Sequence, residues 1–327
     1  MIGTVGLLAF LSAQVDMVRV GRLFRELRPS TAFAGLALYA LLQTVRAGRY
    51  RLLAPDASAR LLLSVHCVHA LLLRVMPFRT GELGFAWLMR RHGPGGFGRH
   101  LVGVLLLRVL DLATILGVLM LGLVLWAATR TADDPTSWPL AVAIACVALA
   151  APLYLRSLVR WGHRLASLVL ALTRLDRLAR VRRAQRGLSD AVDWSDSLRP
   201  RTLWAVSGLT VTQWVLNFVL FGVMLHAMHV PATVGQTILG GAGSVLGGLV
   251  PLASIGNFGP LEAGWSAGFT AAGLPAETAI ASAFGFSVLS FGYALATALV
   301  GWLALPRHVA TKRLLNDDGT ARNPDAR

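Results

Sequence analysis

Apolar residues occupy this chain in long blocks separated by arginine-rich stretches, and the blocks set the predicted elements. Runs suited to membrane helices cover 1–15, 31–46, 61–77, 101–128, 138–155, 202–228, 233–250, 258–273 and 278–305. Residues 202–228 carry no charge, and 202–306 hold only Glu262 and Glu277. At about 1.5 Å per residue, 202–228 reaches roughly 40 Å, enough to cross a hydrocarbon core of about 30 Å. Other runs fall short of the roughly 20 residues of a full crossing. The pattern therefore predicts that 31–46, 61–77 and 233–250 are tilted, interfacial or re-entrant. The expected fold class is all-α, a polytopic membrane helix bundle of about seven to nine helices with broken or re-entrant members. One transmembrane domain over 1–305 and a disordered tail over 306–327 complete the expected organisation.

Composition agrees with the pattern. Of 327 residues, 55% are hydrophobic and 14% charged, and mean hydropathy is +0.61. Soluble domains run near 25% charged, so a water-soluble enzyme with a single core is excluded. The net charge is +15, and Lys312 is the only lysine among 31 basic residues. Such a charge suits nucleic acid in general. Here the arginines lie between apolar runs, as positive-inside loops do, and no finger, helix-turn-helix or RNA-reading motif accompanies them. No nucleic-acid partner is expected. Cys67 and Cys146 each sit within an apolar run, which predicts free thiols rather than a disulfide framework. The start, 1–15, lacks a basic n-region and reads as a first membrane helix rather than a cleaved signal.

Loop charge predicts orientation. Segment 156–201 has eleven Arg and four Asp, so it belongs on the cytoplasmic side. Segments 129–137 and 229–236 carry almost no basic charge and belong outside. The stretches 16–30 and 74–100 and the tail belong inside, which puts the C-terminus in the cytoplasm. The net +3 of 46–60 conflicts with this scheme if 31–46 and 61–77 both cross. A hairpin of those two segments that does not fully cross would resolve the conflict. Within 156–186, Leu158, Trp161, Leu165, Leu168, Leu172, Leu175 and Leu178 alternate with Arg at helical spacing. This describes either an amphipathic helix on an anionic membrane face or a solvated extension of a membrane helix.

Few motifs suggest soluble chemistry. Gly93-Pro-Gly-Gly-Phe-Gly98 fits GxGxxG, but without a strand before it or a βαβ unit after it it reads as an interfacial loop. His66/His69 and His226/His229 are HxxH pairs. Neither has a carboxylate or suitably directed thiol at ligand spacing, so packing is the expected role of the first pair and an interfacial position that of the second. No metal, no cofactor and no catalytic residue is expected, since no GxSxG, P-loop, HExxH or DxD element is present.

The informative residues are charges inside apolar runs. Arg108 and Asp111 lie three apart on one helix face, and each would cost about 2.5–3.5 kcal/mol near the bilayer centre if unpaired. Glu262 is the lone charge between 202 and 276 and follows a stretch with seven glycines between 240 and 259. Its partner is expected among the arginines of the first half, with Arg79 and Arg108 the leading choices. Two breaks resemble each other: Pro77-Phe-Arg79-Thr-Gly81-Glu82, and Pro251 through Gly256, Asn257 and Gly259 to Glu262. Each starts at proline, contains glycine and ends in a glutamate that opens the next helix. A first-turn carboxylate suits the helix dipole. Interrupted segments at matching places in two halves are also what internally repeated transporters place around a midplane site, so an internal repeat is possible on this pattern.

These residues resemble the membrane domain of bacterial lysylphosphatidylglycerol synthases and their stand-alone, flippase-like relatives. Arg46-Ala-Gly-Arg49-Tyr50 stands where the family shows RAxRW. Pro77, Arg79, Gly81 and Glu82 match PxRxGE, Arg108 and Asp111 match ERxxD, and Gly256, Gly259 and Glu262 match part of PGGxGxxE. Tyr50 replaces the family Trp, Leu107 the Glu, and Ile255 and Asn257 the Pro and Gly. An arginine expected in the last long helix is replaced near Phe286 or Ser287. The resemblance implies the stand-alone form, without the synthases' aminoacyl-transferring domain, in a bacterial cytoplasmic membrane.

The resulting expectation is a lipid transporter that binds an anionic or aminoacylated phospholipid or a polyprenyl-phosphate lipid. Arg79 and Arg108 would hold the phosphate bidentately, while Glu82, Asp111 and Glu262 position them or exchange protons. The alternative is a membrane-embedded lipid-modifying enzyme, or a non-catalytic subunit of an aminoacyl- or glycosyl-transfer system. Oligomeric state has no signature in the sequence.

Overall fold

Proline opens three helices of the computed structural model, at positions where its missing N–H costs nothing and its fixed φ suits the first turn. The described residues are 27–76, 80–128, 196–249 and 259–306, with isolated positions between 160 and 194. Among them are eight helices: α1 Pro29–Leu53, α2 Ala59–Val75, α3 Gly81–His92, α4 Phe97–Ala128, α5 Pro200–Ala227, α6 Val234–Leu249, α7 Pro260–Ala271 and α8 Ala276–Ala304. Ser58 caps α2, its Oγ accepting the Leu61 N–H at 3.3 Å. No strand occurs among the described residues, and the all-α expectation holds. Residues 97–120 of α4, all of α5 and all of α8 are long and apolar enough to cross a membrane. The expected helices at 1–15 and 138–155 and the tail beyond Pro306 lie outside the described residues. So does most of 156–201, of which Trp161, Leu165 and Leu168 are helical and exposed.

The eight helices form two halves of the same plan. Lengths run 25, 17, 12 and 32 residues in α1–α4 and 28, 16, 12 and 29 in α5–α8. The packing repeats as well. α2 against α3 is matched by α6 against α7, α3 against α4 by α7 against α8, and α2 against α8 by α6 against α4. At the centre α1 packs on α5, and the two run antiparallel. The Arg28 N–H donates to the Ala227 carbonyl at 3.2 Å at one end, and Arg49 Nη1 donates to Thr210 Oγ1 at 3.2 Å near the other. The halves are therefore inverted with respect to each other, which is the repeat suggested by the two matching breaks.

The short helices are hairpins. At about 1.5 Å per residue, α2 and α6 are roughly 25 Å long and α3 and α7 roughly 18 Å, all shorter than the hydrocarbon core. Glycine lets each pair close. A Cβ on Gly81 would lie 2.7 Å from the Leu72 carbonyl oxygen across α2–α3. In α6–α7, Gly243 meets the Gly264 carbonyl and Gly247 the Pro260 carbonyl so closely that neither could carry a side chain. Gly243/Gly247 and Gly264/Gly268 are two GxxxG pairs facing each other, the spacing that allows apolar helices to touch backbone to backbone. Gly259 opens α7 with φ 102°, a conformation L residues avoid. Gly259→Ala should cost about 1–3 kcal/mol, read as a lower melting temperature in detergent; an unchanged value would mean that this turn relaxes.

The hairpins enter from opposite ends. α2 starts where α1 ends, while α6 starts at the other end, beside the N-terminus of α1. This corrects the expected hairpin of 31–46 with 61–77. α1 instead continues through Arg46, Arg49 and Arg51 to Leu53, and the hairpin is α2 with α3. Segment 54–60 then lies with 93–99 and Arg199, and the conflict over its charge disappears. Arg28 lies at the opposite end, against His226 at 2.8 Å, so it does not share a side with 80–100 as 16–30 was expected to.

Two apolar clusters fill the bundle. One holds Trp214, Phe218, Phe221, Trp265, Phe269 and Phe286, with the rings of Trp265 and Phe286 stacked at 4.3 Å. The other centres on Tyr50, Leu62, Phe85 and Met89. Leu299, Val300, Trp302 and Leu303 point outward from α8, as a lipid-facing surface requires. Gly301 brings α8 onto α2 at Ser64 and at Cys67, a buried free thiol.

Candidate functional site

One cavity of about 220 Å³ lies at mid-height between the two hairpins. Met76 and Glu82 border it from the first hairpin, and Gly248 and Leu261 from the second. Long helices provide the cations: Arg46 from the middle of α1 and Arg108 from α4, joined by Arg74 from the last turn of α2.

The charges divide into a bound set and a free set. Arg49 Nη1 and Nη2 donate to Asp111 Oδ1 and Oδ2 at 2.5 and 3.3 Å. Trp214 Nε1–H adds a third bond to Asp111, at 3.1 Å. Both partners are buried, so this fork ties α1, α4 and α5 together. Arg108 reaches Glu82 at 2.5 Å and Asp111 at 3.8 Å, and its side chain is 40% exposed. The i, i+3 pair seen in the sequence is thus the weakest of these contacts. Among the described residues no carboxylate lies within 4.0 Å of Arg46 or Arg74. Arg46 Nη1 donates to Gln43 Oε1 at 3.5 Å, and the Arg74 guanidinium lies 5.9 Å from the centre of the Phe286 ring.

Glu262 departs from expectation. It is 1% exposed; its Oε2 accepts the Gly259 N–H at 2.6 Å, and its Oε1 accepts the Ser287 hydroxyl. It does not pair with Arg108, which is held by Glu82, because residue 261 points to the cavity and residue 262 turns toward α8. Ser287 stands near the position where the resemblance expects an arginine. Glu262→Gln and Arg108→Gln should therefore destabilise additively, within about 0.5 kcal/mol. A double variant melting clearly above that sum would restore the direct pair.

Pro77, Arg79, Pro251, Gly256 and Asn257 lie outside the described residues; Gly81 and Gly259 have the roles given above. His66 and His69 are buried around Phe85, with ring centroids 4.8 and 5.3 Å from it. Among the described residues no group of three metal-ligating side chains forms. Gly93–Gly98 is the turn between α3 and α4. The His100 Nε2–H donates to the Pro94 carbonyl at 2.9 Å, which leaves Nδ1 to accept the Tyr50 hydroxyl at 2.9 Å. Arg46 and Arg74 were missed as site residues. Arg74 ends an apolar run, where a loop charge is ordinary, and only the hairpin turns it inward. Arg46 carried a signal, its place in the RAxR motif.

Two inverted halves, each with a hairpin reaching a charged mid-height cavity, define a helical membrane protein of internally repeated design. Residues 1–299 match the family model described as the lysylphosphatidylglycerol synthase TM region, and the chain belongs to that family. No curated protein and no solved structure matches it.

Proposed function

We propose that the protein binds the phosphate of an anionic lipid, a phospholipid or a polyprenyl phosphate, and carries its head group across a bacterial cytoplasmic membrane. The observation that carries this reading is the pair Arg46 and Arg74, two guanidiniums without a carboxylate partner within 4.0 Å among the described residues, on the wall of a mid-height cavity. Unpaired cations at such depth are costly. A phosphate would satisfy them with bidentate bonds that the already paired Arg49 and Arg108 offer less freely. The inverted hairpins border the cavity from opposite halves, the arrangement internally repeated transporters place around a midplane site.

The test is transfer of head-group-labelled phospholipid across vesicles that contain the purified protein, with co-purified lipid identified by mass spectrometry. Transfer above protein-free vesicles and a stoichiometric phosphate lipid are expected. A lipid product of new mass would replace this reading with the lipid-modifying enzyme. The end holding Arg51, Arg60, Arg99, Arg199 and Arg201 faces the cytoplasm on this reading. Cysteines placed at Arg60 and Arg201 should then resist an impermeant thiol reagent applied to intact cells, while cysteines at Val234 and Glu277 should react.

A further inference from the structure

A second chamber of about 120 Å³ adjoins the central cavity, between α1, α2, α4 and α5. The two share Arg46, Arg108 and Trp214 as a common wall. At this volume the chamber has room for several water-sized groups. Its lining is polar and unsatisfied: Gln43 Nε2, His66 Nε2, His69 Nε2 and Gln213 Oε1 are buried without a hydrogen-bond partner among the described residues. Buried polar atoms are almost always paired, and four orphans lining one space mark a place where a ligand supplies the missing bonds.

The chemistry of that ligand can be read from the atoms. Gln43 uses its oxygen for Arg46, so its amide N–H groups remain to donate. The His69 ring is buried with its Nε2 unpartnered. Gln213 Oε1 presents a lone pair. The ligand must therefore both donate and accept, as hydroxyl groups do. It must also be uncharged or negative, because Arg46, Arg49 and Arg108 line the chamber and the carboxylates Asp111 and Glu82 answer only Arg49 and Arg108, leaving the charge of Arg46. An ammonium group would enter against a net positive wall.

We infer that this chamber is the subsite for the head group beyond the phosphate, and that it selects a neutral, hydroxylated head group over an aminoacylated one. The shared chemistry is a phosphodiester bearing hydroxyls, either the glycerol of a phospholipid or a sugar on a polyprenyl phosphate. The inference rests on reading Arg46 and Arg74 as the phosphate site.

Competition among lipids for the full-length protein in mild detergent, read by native mass spectrometry, tests it. The probes are phosphatidylglycerol, its lysyl ester, a hexosyl phosphopolyprenol, and phosphatidylethanol, which carries the same phosphodiester charge without a hydroxyl. At least one hydroxylated lipid should be retained about tenfold better than phosphatidylethanol, the size expected from one or two hydrogen bonds. The lysyl ester should be retained least among the glycerol-based probes, and the stronger hydroxylated lipid identifies the source. Gln213→Leu and His69→Leu should lower retention of that lipid to the phosphatidylethanol level while phosphatidylethanol itself is unchanged. A merely structural role would lower all four together. Retention of phosphatidylethanol equal to both hydroxylated lipids, or a preference for the lysyl ester, overturns the subsite and leaves the phosphate site standing. Failure to retain any of the phosphodiesters overturns both. The wild-type comparison decides even if a variant does not fold.

Discussion

Asp111→Asn should be the most destabilising single change in the described charge network. Among the described residues Asp111 is the only carboxylate that Arg49 contacts, and the two side chains are 6% and 5% exposed. Removing the negative charge strands a buried guanidinium between three helices. Breaking such a pair costs about 3–5 kcal/mol, whereas replacing both partners by apolar groups of similar size can be close to neutral. The melting temperature in detergent should fall on the order of 10 °C for the single variant. Arg49→Met with Asp111→Leu should recover most of that loss. The remainder, about 1 kcal/mol, reflects the Trp214 N–H and the Thr210 hydroxyl left with fewer partners. A double variant as unstable as the single would mean that the network stabilises through its geometry rather than by neutralising charge.

The architecture was legible where burial is continuous and obscure where it depends on long-range pairing. Long apolar runs located α4, α5 and α8 almost to their ends. The repeat was visible in the two glutamate-ended breaks, because Glu82 and Glu262 both lie in the first turn of their helices, α3 and α7. α1 was cut short since Arg46, Arg49 and Arg51 look like a loop until helices 62 and 161 residues away supply Asp111 and Thr210. Sequence spacing shows that Arg108 and Asp111 share a helix face, but not that Glu82, from another helix, holds Arg108 more closely. Of the two cations expected for Glu262, Arg108 is held by Glu82 and Arg79 lies outside the described residues, while a serine 25 residues on and a local N–H donate to it. A hydroxyl satisfying a carboxylate leaves no charge pattern to read.

The largest functional effect is expected from Arg46 and Arg74, which no carboxylate among the described residues pairs within 4.0 Å. Arg46→Gln and Arg74→Gln each remove a cation from the cavity without stranding an anion, since neither is paired within 4.0 Å of a described carboxylate. Their stability effects should therefore be small or favourable, the reverse of Asp111→Asn, because each change also removes an unpaired buried charge. Lipid transfer should respond in the opposite way. A charge-assisted bidentate contact is about twice as strong as a neutral hydrogen bond, so each single variant should lose about tenfold or more in transfer, and the double variant should fall to the protein-free rate. Arg46→Lys keeps the charge but not the planar fork and should recover only part of the loss. Three measurements on the same preparations check this: melting temperature, retained phosphate lipid and transfer rate. Loss of transfer with unchanged or raised melting temperature and depleted phosphate lipid is the expected result. Transfer at the wild-type rate in the double variant would remove the phosphate site from this cavity, and transfer lost only together with stability would assign these arginines to the fold.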